Sequence, residues 1–180
     1  MVQAGSMGVP YIPVRGLAGT DVFARRTDMM IVHNPFDPDE KTVVAMAINP
    51  DVAICHAIKA DRWGNAIFRR GGDELLISQA SAKVIITAEE IVDQVTEDDP
   101  DGVFISSLNV TAVVHTPYGA HPTAVTGKYE MDGEHIKEYL AASRSDEAFQ
   151  AYLEKYVIGK TEAEYQALVG ITAPVAGDGA

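Results

Sequence analysis

The feature that most constrains the fold is a series of apolar, β-branched runs within the first 120 residues. Three of them, 52–55, 84–86 and 110–114, are continuous rather than alternating. Continuous runs of this kind are typical of strands covered on both faces, as in a mainly parallel sheet. The sequence therefore predicts strands over Lys41–Ile48, Asp51–Ala57, Ala82–Thr87 and Val110–Thr116.

Helix-capping residues predict several helices, most of them in the last third of the chain. They are Glu74–Ser81 after Asp73, a helix begun by the capping box of Thr87 and Glu90, Gly133–Ala142, a helix after Ser145, and one from the capping box of Thr161 and Glu164 to a stop at Gly170. A turn at 63–65 separates two short extended segments. This order predicts an α/β fold with a mainly parallel sheet covered by helices, followed by C-terminal helices.

The limits of the domain are also predicted from local pattern. We expect one domain over residues 1–170 and a flexible tail over 171–180, which is rich in small residues. Residues 1–9 are typical of the end of a helix that stops at Gly8. A domain that opens within a helix is expected of a fragment lacking its N-terminal portion, or of a naturally short subunit.

Composition restricts the partners and the compartment. The net charge of -12 argues against nucleic acid, which needs a basic face. Anionic small ligands need only a local positive cluster, for which Arg25-Arg26 and Arg69-Arg70 are candidates, with solvated loop pairs as the alternative. One cysteine, no apolar run of about 20 residues and no signal-peptide pattern predict a cytoplasmic protein without membrane association.

Two loops carry candidate binding residues. In the first, two glycines lie beside Arg15 and Thr20, which can donate hydrogen bonds to phosphate or carboxylate. The second, 116–123, follows the strand at 110–116, where ligands of open α/β sheets bind, and presents Tyr118 and His121. An ordinary Gly/Pro connection and a hydrogen-bonded tight turn are the respective alternatives.

Other familiar chemistry has no support in the sequence. Metal-ligand spacings, Gly-rich phosphate loops and a G-x-S-x-G elbow are all missing from the sequence. Cys55 and His56 are neighbours on a predicted strand and point to opposite faces, so Cys55 is expected to be a buried core thiol. Glu89 and Glu90 are explained by the capping box and by solvent.

The motifs in their order along the chain resemble the alpha-type subunits of glutaconate-type family I CoA-transferases. The segments that carry the resemblance are 8–13 (GVPYIP), 34–36 (NPF) with 40–44 (EKTVV), 51–57 (DVAICHA), 87–92 (TAEEIV), 117–122 (PYGAHP) and 127–132 (GKYEMD). The terminal helices also correspond, so the resemblance covers essentially residues 4–170. The Gly-rich strand-turn-helix element near the start of full alpha-type subunits has no counterpart here.

The resemblance implies an activity and a partner. Family members move CoA between carboxylic acids through a glutamyl-CoA intermediate, and in this subtype the nucleophilic glutamate belongs to a β-type partner subunit. The resemblance therefore assigns no catalytic residue and no metal to this chain, which would be inactive alone. Acyl-CoA and carboxylic acid are the expected substrates, CoA enters as a thioester substrate rather than a bound cofactor, and a hetero-oligomer is expected.

Candidate substrate-binding residues follow from the loops, the basic pairs and the resemblance. They are Arg15, Gly16, Gly19, Thr20, Arg69, Arg70, Pro117, Tyr118, Gly119, Ala120 and His121. Two alternatives stay open: a CoA-thioester or ring-cleaving hydrolase on the same fold, and a non-catalytic ligand-sensing or interaction domain.

Overall fold

The chain divides into two compact units, Met1–His115 and Thr116–Ala180. The computed structural model describes residues 1–171, so the predicted tail lies outside the described residues apart from Ile171. The single domain predicted over 1–170 stays a prediction. None of the helices within residues 1–171 is long and apolar enough to cross a bilayer.

The N-terminal unit contains three small sheets and three short helices. In chain order its elements are α1 (Val2–Ser6), β1 (Tyr11–Val14), α2 (Asp21–Arg25), β2 (Met29–Asn34), β3 (Asp37–Met46), β4 (Ala53–Ala57), β5 (Lys59–Asp61), β6 (Ala66–Phe68), α3 (Glu74–Ala80), β7 (Val84–Ala88), β8 (Ile91–Val92), β9 (Val103–Ile105), a 3₁₀ turn (Ser107–Asn109) and β10 (Ala112–His115). The α/β class predicted from the sequence is confirmed.

Three of the four predicted strands form one parallel sheet, whereas the strand predicted over Lys41–Ile48 overlaps β3, which pairs antiparallel with β1 and β2. The order of the parallel sheet is β10-β7-β4, and both pairings are parallel. The other two sheets, β1-β3-β2 and β8-β5-β6-β9, contain antiparallel pairs that the sequence did not predict.

The core of the N-terminal unit lies against one face of the parallel sheet. Residues of β4 and β7 that point to this face, such as Cys55 and Ile86, are buried and pack with Phe68 and Ile105. The other face contains Ile54, which is 71% exposed. Two covered faces were expected from the continuous apolar runs, whereas in residues 1–171 burial alternates along β4, as Cβ geometry on a strand dictates.

One predicted helix is wrong. The sequence at Thr87–Glu90 fits a capping box, but Thr87 lies inside β7 and Ile91–Val92 forms β8. Pairing of β7 with strands on both sides outweighs the local capping preference. The helix predicted after Asp73 is confirmed, although no side-chain hydrogen bond from Asp73 caps it.

The C-terminal unit contains α4 (Gly133–Ala142), α5 (Asp146–Tyr156) and α6 (Glu162–Leu168). All three were predicted, and the capping box of Thr161 and Glu164 is formed in both directions. Rings from α4, α5 and α6 pack edge to face around His135. Tyr156 is buried and Tyr152 is partly buried, so these rings form the packed face of α5.

Candidate functional site

The loop after β1 places the first group of candidate residues. Gly16, Leu17 and Gly19 have left-handed backbone conformations, with φ of 82°, 65° and 77°. Thr20 caps α2: its Oγ1 accepts from the Phe23 N–H at 3.2 Å and donates to the Leu17 carbonyl at 2.7 Å. The glycines therefore provide a turn, and the Thr20 hydroxyl is engaged within the loop.

Arg15 lines a cavity of about 710 Å³ on one face of the β1-β3-β2 sheet. The cavity is also lined by Tyr11, Pro13, Val14, Val32, His33, Asn34, Pro35, Phe36, Glu40, Thr42 and Val44. A cavity of this size with aromatic walls and one guanidinium is suited to a small organic anion.

The second basic pair lies elsewhere in the N-terminal unit. Arg69 and Arg70 follow β6 in a different sheet, and Arg70 Nη2 donates to the Pro100 carbonyl at 3.3 Å. The first basic pair differs again, because Arg26 forms an ion pair with Asp28. Arg15 and Arg70 thus follow strands of two different sheets.

The turn at 116–122 in the C-terminal unit is held by its own aromatic rings. Tyr118 has φ of 59° and stacks on Tyr129, with ring centroids 4.8 Å apart. Tyr129 Oη accepts from the Ala120 N–H at 3.0 Å. Gln166 Nε2 donates to the Pro117 carbonyl at 3.1 Å. The predicted rigidity of this turn therefore has a clear physical basis.

His121 is the buried polar centre of that turn. Its Nδ1 lies 2.7 Å from Tyr165 Oη, and its Nε2 lies 3.3 Å from Asp132 Oδ2. Burial raises the pKa of Tyr165 to about 12. The pKa of Asp132 is lowered, first by the hydrogen bond from the His135 N–H and then by His121. Both ring nitrogens of His121 thus have partners inside the unit, and a ligand-binding role for His121 stays a prediction.

The parallel sheet brings together three residues that were not predicted as a site. His56 of β4 and Thr87 of β7 are direct neighbours in the register. His56 Nδ1 lies 2.8 Å from Thr87 Oγ1, and its Nε2 lies 2.6 Å from Glu89 Oε1. The interpretation of Glu89 as a capping or solvated residue is wrong, because its side chain is only 5% exposed.

A hint of this cluster was present in the sequence. Thr87 and Glu89 are two residues apart, which places both on one face of an extended segment. Cys55 points to the opposite face from His56, as predicted, and burial raises the pKa of its thiol. Pairing of His56 with a residue 33 positions away needs the strand register, which composition does not supply.

Asp61 fixes the turn beside this region. Its buried carboxylate accepts from the backbone N–H groups of Trp63, Asn65 and Val95 and from the Asn65 side chain. Burial by itself would raise the pKa of Asp61, but these hydrogen bonds outweigh it and the pKa is lowered. Asp61 is therefore a structural carboxylate that holds the predicted 63–65 turn.

A smaller cavity of about 430 Å³ lies next to that turn. Arg62 packs over the exposed ring of Trp63, with its Cζ 4.5 Å from the ring centroid, and His115 is a further lining residue. Within the described residues 1–171, His, Cys, Asp and Glu form no group that could hold a metal ion.

Comparison with known proteins identifies the family. Residues 1–116 match the family model described as coenzyme A transferase. The chain is 31% identical to the A-type subunit of the 3-oxoadipate CoA-transferase of Pseudomonas knackmussii over 168 residues, covering 92% of this chain and 59% of that protein. It is 33% identical to the A-type subunit of the glutaconate CoA-transferase of Acidaminococcus fermentans over 190 residues, covering 96% and 59%.

Structural comparison gives the same relative. The crystal structure of glutaconate coenzyme A-transferase from Acidaminococcus fermentans aligns with a TM-score of 0.81 and 31% identity, over 94% of this chain and 59% of that chain.

A further relative by sequence is the cholesterol ring-cleaving hydrolase IpdA subunit of Rhodococcus jostii, which is 29% identical over 93% of this chain and 60% of that protein. The chain thus spans about three fifths of the length of these curated relatives.

Proposed function

Because the chain belongs to the coenzyme A transferase family and is a family I A-type subunit, we propose that it contributes to an enzyme moving CoA from an acyl-CoA to a free carboxylic acid. The observation that carries this proposal is the match to the glutaconate enzyme, with a TM-score of 0.81 over 94% of the chain. Two of the similar proteins are named as A-type subunits of such transferases.

The proposed reaction uses, as its nucleophile, a glutamate that belongs to a β-type partner subunit. The carboxylate attacks the thioester, and the resulting anhydride is converted to a glutamyl-CoA thioester that the acceptor acid then resolves. Each step passes through an oxyanion, which backbone N–H groups can stabilise. We propose a cytoplasmic hetero-oligomer in which CoA is a substrate and no cofactor is permanently bound.

In the N-terminal unit we propose that Arg15 binds an anionic group of the substrate. Arg15 lines the largest of the cavities described above, and the neighbouring Gly16 and Gly19 leave space where a Cβ would meet no atom within 4 Å. Arg69 and Arg70 are exposed and are proposed to pair with a phosphate or carboxylate of CoA. Thr20 contributes to this loop through its cap rather than through a free hydroxyl.

In the C-terminal unit we propose that the 117–121 turn forms a rigid wall of the substrate site. Its support is the ordered stack of Tyr118 on Tyr129 and the buried hydrogen bonds of His121. Gly119 and Ala120 are the small residues of the turn, where a ligand can approach the backbone closely.

A hydrolase on the same fold is the second candidate function. The observation in its favour is the similarity to the IpdA subunit, which is named as a ring-cleaving hydrolase. Transfer and hydrolysis differ in the acceptor: a carboxylic acid in the first, and water in the second.

The test is made with the chain produced together with a β-type subunit. The complex is incubated with acyl-CoA with and without an acceptor carboxylic acid, and CoA esters are separated by chromatography. Transfer predicts that the CoA ester of the acceptor forms faster than free CoA, and that borohydride reduction of the enzyme-bound thioester inactivates the complex. If free CoA is released without an acceptor as fast as the CoA ester forms with one, the result contradicts the transferase proposal and favours the hydrolase.

Replacement of Gly119 by Val tests the wall formed by the turn. We expect at least a tenfold loss of kcat/KM in the assembled enzyme, with a loss of stability of about 1 kcal/mol or less. Thermal unfolding and transfer assays are run on the same preparation. If the free energy of unfolding falls as much as the free energy of transition-state stabilisation, the turn has only a structural role.

A further inference from the structure

We propose that Thr87, His56 and Glu89 form a second catalytic site, in which Thr87 is a nucleophile that hydrolyses acyl esters and thioesters. The three side chains are joined in one hydrogen-bonded series at the carboxyl end of the parallel sheet. The choice of a CoA thioester as substrate rests on the proposed function, whereas the nucleophile rests on geometry alone.

The order of the groups is that of an activated hydroxyl. An ionised Glu89 carboxylate only accepts hydrogen bonds, so the hydrogen between it and His56 is carried by Nε2. In the neutral ring Nδ1 is then an acceptor, and the Thr87 hydroxyl lies 2.8 Å from it. The other acceptor of that hydroxyl, the Cys55 carbonyl, is more distant at 3.4 Å. Nucleophile, base and orienting carboxylate are thus within the distances that such sites require.

Glu89 is the most buried of the three residues. The side chain of Glu89 is 5% exposed, whereas that of His56 is 20% exposed, and Thr87 is partly buried. The orienting carboxylate is therefore shielded from water, whereas the base and the hydroxyl-bearing residue are only partly buried. A buried carboxylate beside a histidine holds one tautomer and opposes rotation of the ring.

The surface around Thr87 is suited to an acyl group. Thr87 lies between His56 and Val114 in the sheet, on the face that also contains Ile54 and Ile85. Ile54 is 71% and Val114 is 47% exposed. An apolar surface next to an activated hydroxyl, at the carboxyl ends of parallel strands, is an appropriate place for an acyl chain and its carbonyl.

The proposed hydrolysis consumes only the thioester and water. The Thr87 hydroxyl gives its proton to His56 Nδ1 as Oγ1 attacks the thioester carbonyl, and collapse of the oxyanion breaks the C–S bond. The CoA thiolate takes the proton from Nδ1 and leaves an acyl-Thr87 ester. Water then gives a proton to Nδ1, attacks the ester carbonyl and releases the carboxylic acid, and the proton returns to Oγ1. Glu89 is a positioning residue throughout.

The test uses the full 180-residue chain with p-nitrophenyl acetate and, separately, acetyl-CoA. We expect the change of Thr87 to Val to lower the hydrolysis rate about 100-fold or more, and Thr87→Ser to retain it within about tenfold. His56→Asn and Glu89→Gln should also slow hydrolysis, and Glu89→Asp should restore part of the rate. Intact-mass and peptide mapping should place the acetyl group on Thr87.

The matched control is Tyr165→Phe, which removes the hydroxyl that lies beside the His121–Asp132 pair. Its hydrolysis rate should equal that of the unchanged protein. If Thr87→Val hydrolyses both probes at the original rate, or if the acetyl group is found on another residue, the proposal is overturned.

Failure of the proposed function gives a different result. Acetylation of Thr87 by p-nitrophenyl acetate, with no reaction of acetyl-CoA and no CoA transfer by the assembled complex, would support the triad and contradict the transferase. If Thr87→Val loses hydrolysis while CoA transfer by the complex is unchanged, the result supports both the Thr87 site and the transferase function. Transfer by the complex with no acetylation of Thr87 by either probe would overturn the triad alone.

Discussion

Within residues 1–171, two histidines each lie between a hydroxyl and a carboxylate, and the two arrangements differ in their surroundings. His56 lies between Thr87 and Glu89, and His121 lies between Tyr165 and Asp132. Each has the hydroxyl at Nδ1 and the carboxylate at Nε2. The exposed member differs: the side chains of His56 and Glu89 are 20% and 5% exposed, whereas those of His121 and Asp132 are 6% and 34% exposed.

This difference separates a candidate site from a core network. In the His121 series the hydroxyl belongs to a partly buried aromatic ring, and the partly exposed carboxylate caps α4 by accepting from the Glu134 and His135 N–H groups. In the His56 series the carboxylate is buried, the histidine is partly exposed, and the hydroxyl belongs to a small, partly buried aliphatic side chain. Hydrogen-bond pattern alone therefore does not identify a nucleophile, and which end is exposed decides the assignment.

The largest expected effect comes from removal of His121. His121→Ala should lower the free energy of unfolding by about 3 kcal/mol, because it removes a buried side chain, leaves a cavity and takes a hydrogen-bond partner from Tyr165. His56→Ala, on a more exposed ring, should cost about 2 kcal/mol, mainly because it takes a hydrogen-bond partner from the buried Glu89 carboxylate. Denaturant unfolding is followed by circular dichroism for the helices and by fluorescence of Trp63, the only tryptophan of the chain. The reverse ranking would invalidate the comparison.

A smaller difference is expected between the two carboxylates. Glu89→Gln should cost about 2 kcal/mol, because the buried position loses a charged acceptor for His56. Asp132→Asn should cost less than about 1 kcal/mol, since asparagine is an equally good N-cap for α4. Thermal unfolding of the two isosteric variants checks this. Equal costs would show that burial of the carboxylate is not what distinguishes the pairs.

The smallest effect appears only at alkaline pH. The pKa of Tyr165 is raised from 10.0 to about 12, so the folded state retains a proton that the unfolded chain loses. The contribution of this hydroxyl to stability is complete below pH 10, falls between pH 10 and 12, and is lost above that range. Tyr165→Phe should remove this part of the pH dependence and the corresponding step of the tyrosinate absorbance titration. An unchanged titration would contradict the buried, neutral hydroxyl.

The elements predicted correctly are those whose signals are local. The capping box of Thr161 and Glu164 lies within one helical turn, and the 63–65 turn is held by Asp61 only a few residues away. The same capping pattern at Thr87 failed, because strand pairing with residues about 30 positions away competes with it.

Candidate-site residues were harder to predict for the same reason. Arg15 and Tyr118 were found from glycine and proline signals in their own loops, and the structure gives the cavity and the stack that surround them. The pairing of His56 with Glu89 depends on the register of β4 and β7, which no single segment determines. Sequence patterns thus predicted the loops better than the contacts between strands.

Cys55 adjoins His56 but points into the core, and it is the single cysteine of the chain. A thiol that burial keeps protonated reacts slowly with alkylating reagents while the strand is in place. The rate at which Cys55 is alkylated in the unmodified protein therefore reports how often the parallel sheet opens. An acyl group bound on the opposite face of the sheet would slow this alkylation. The Cys55 sulfur therefore reports on opening of the sheet without any added label.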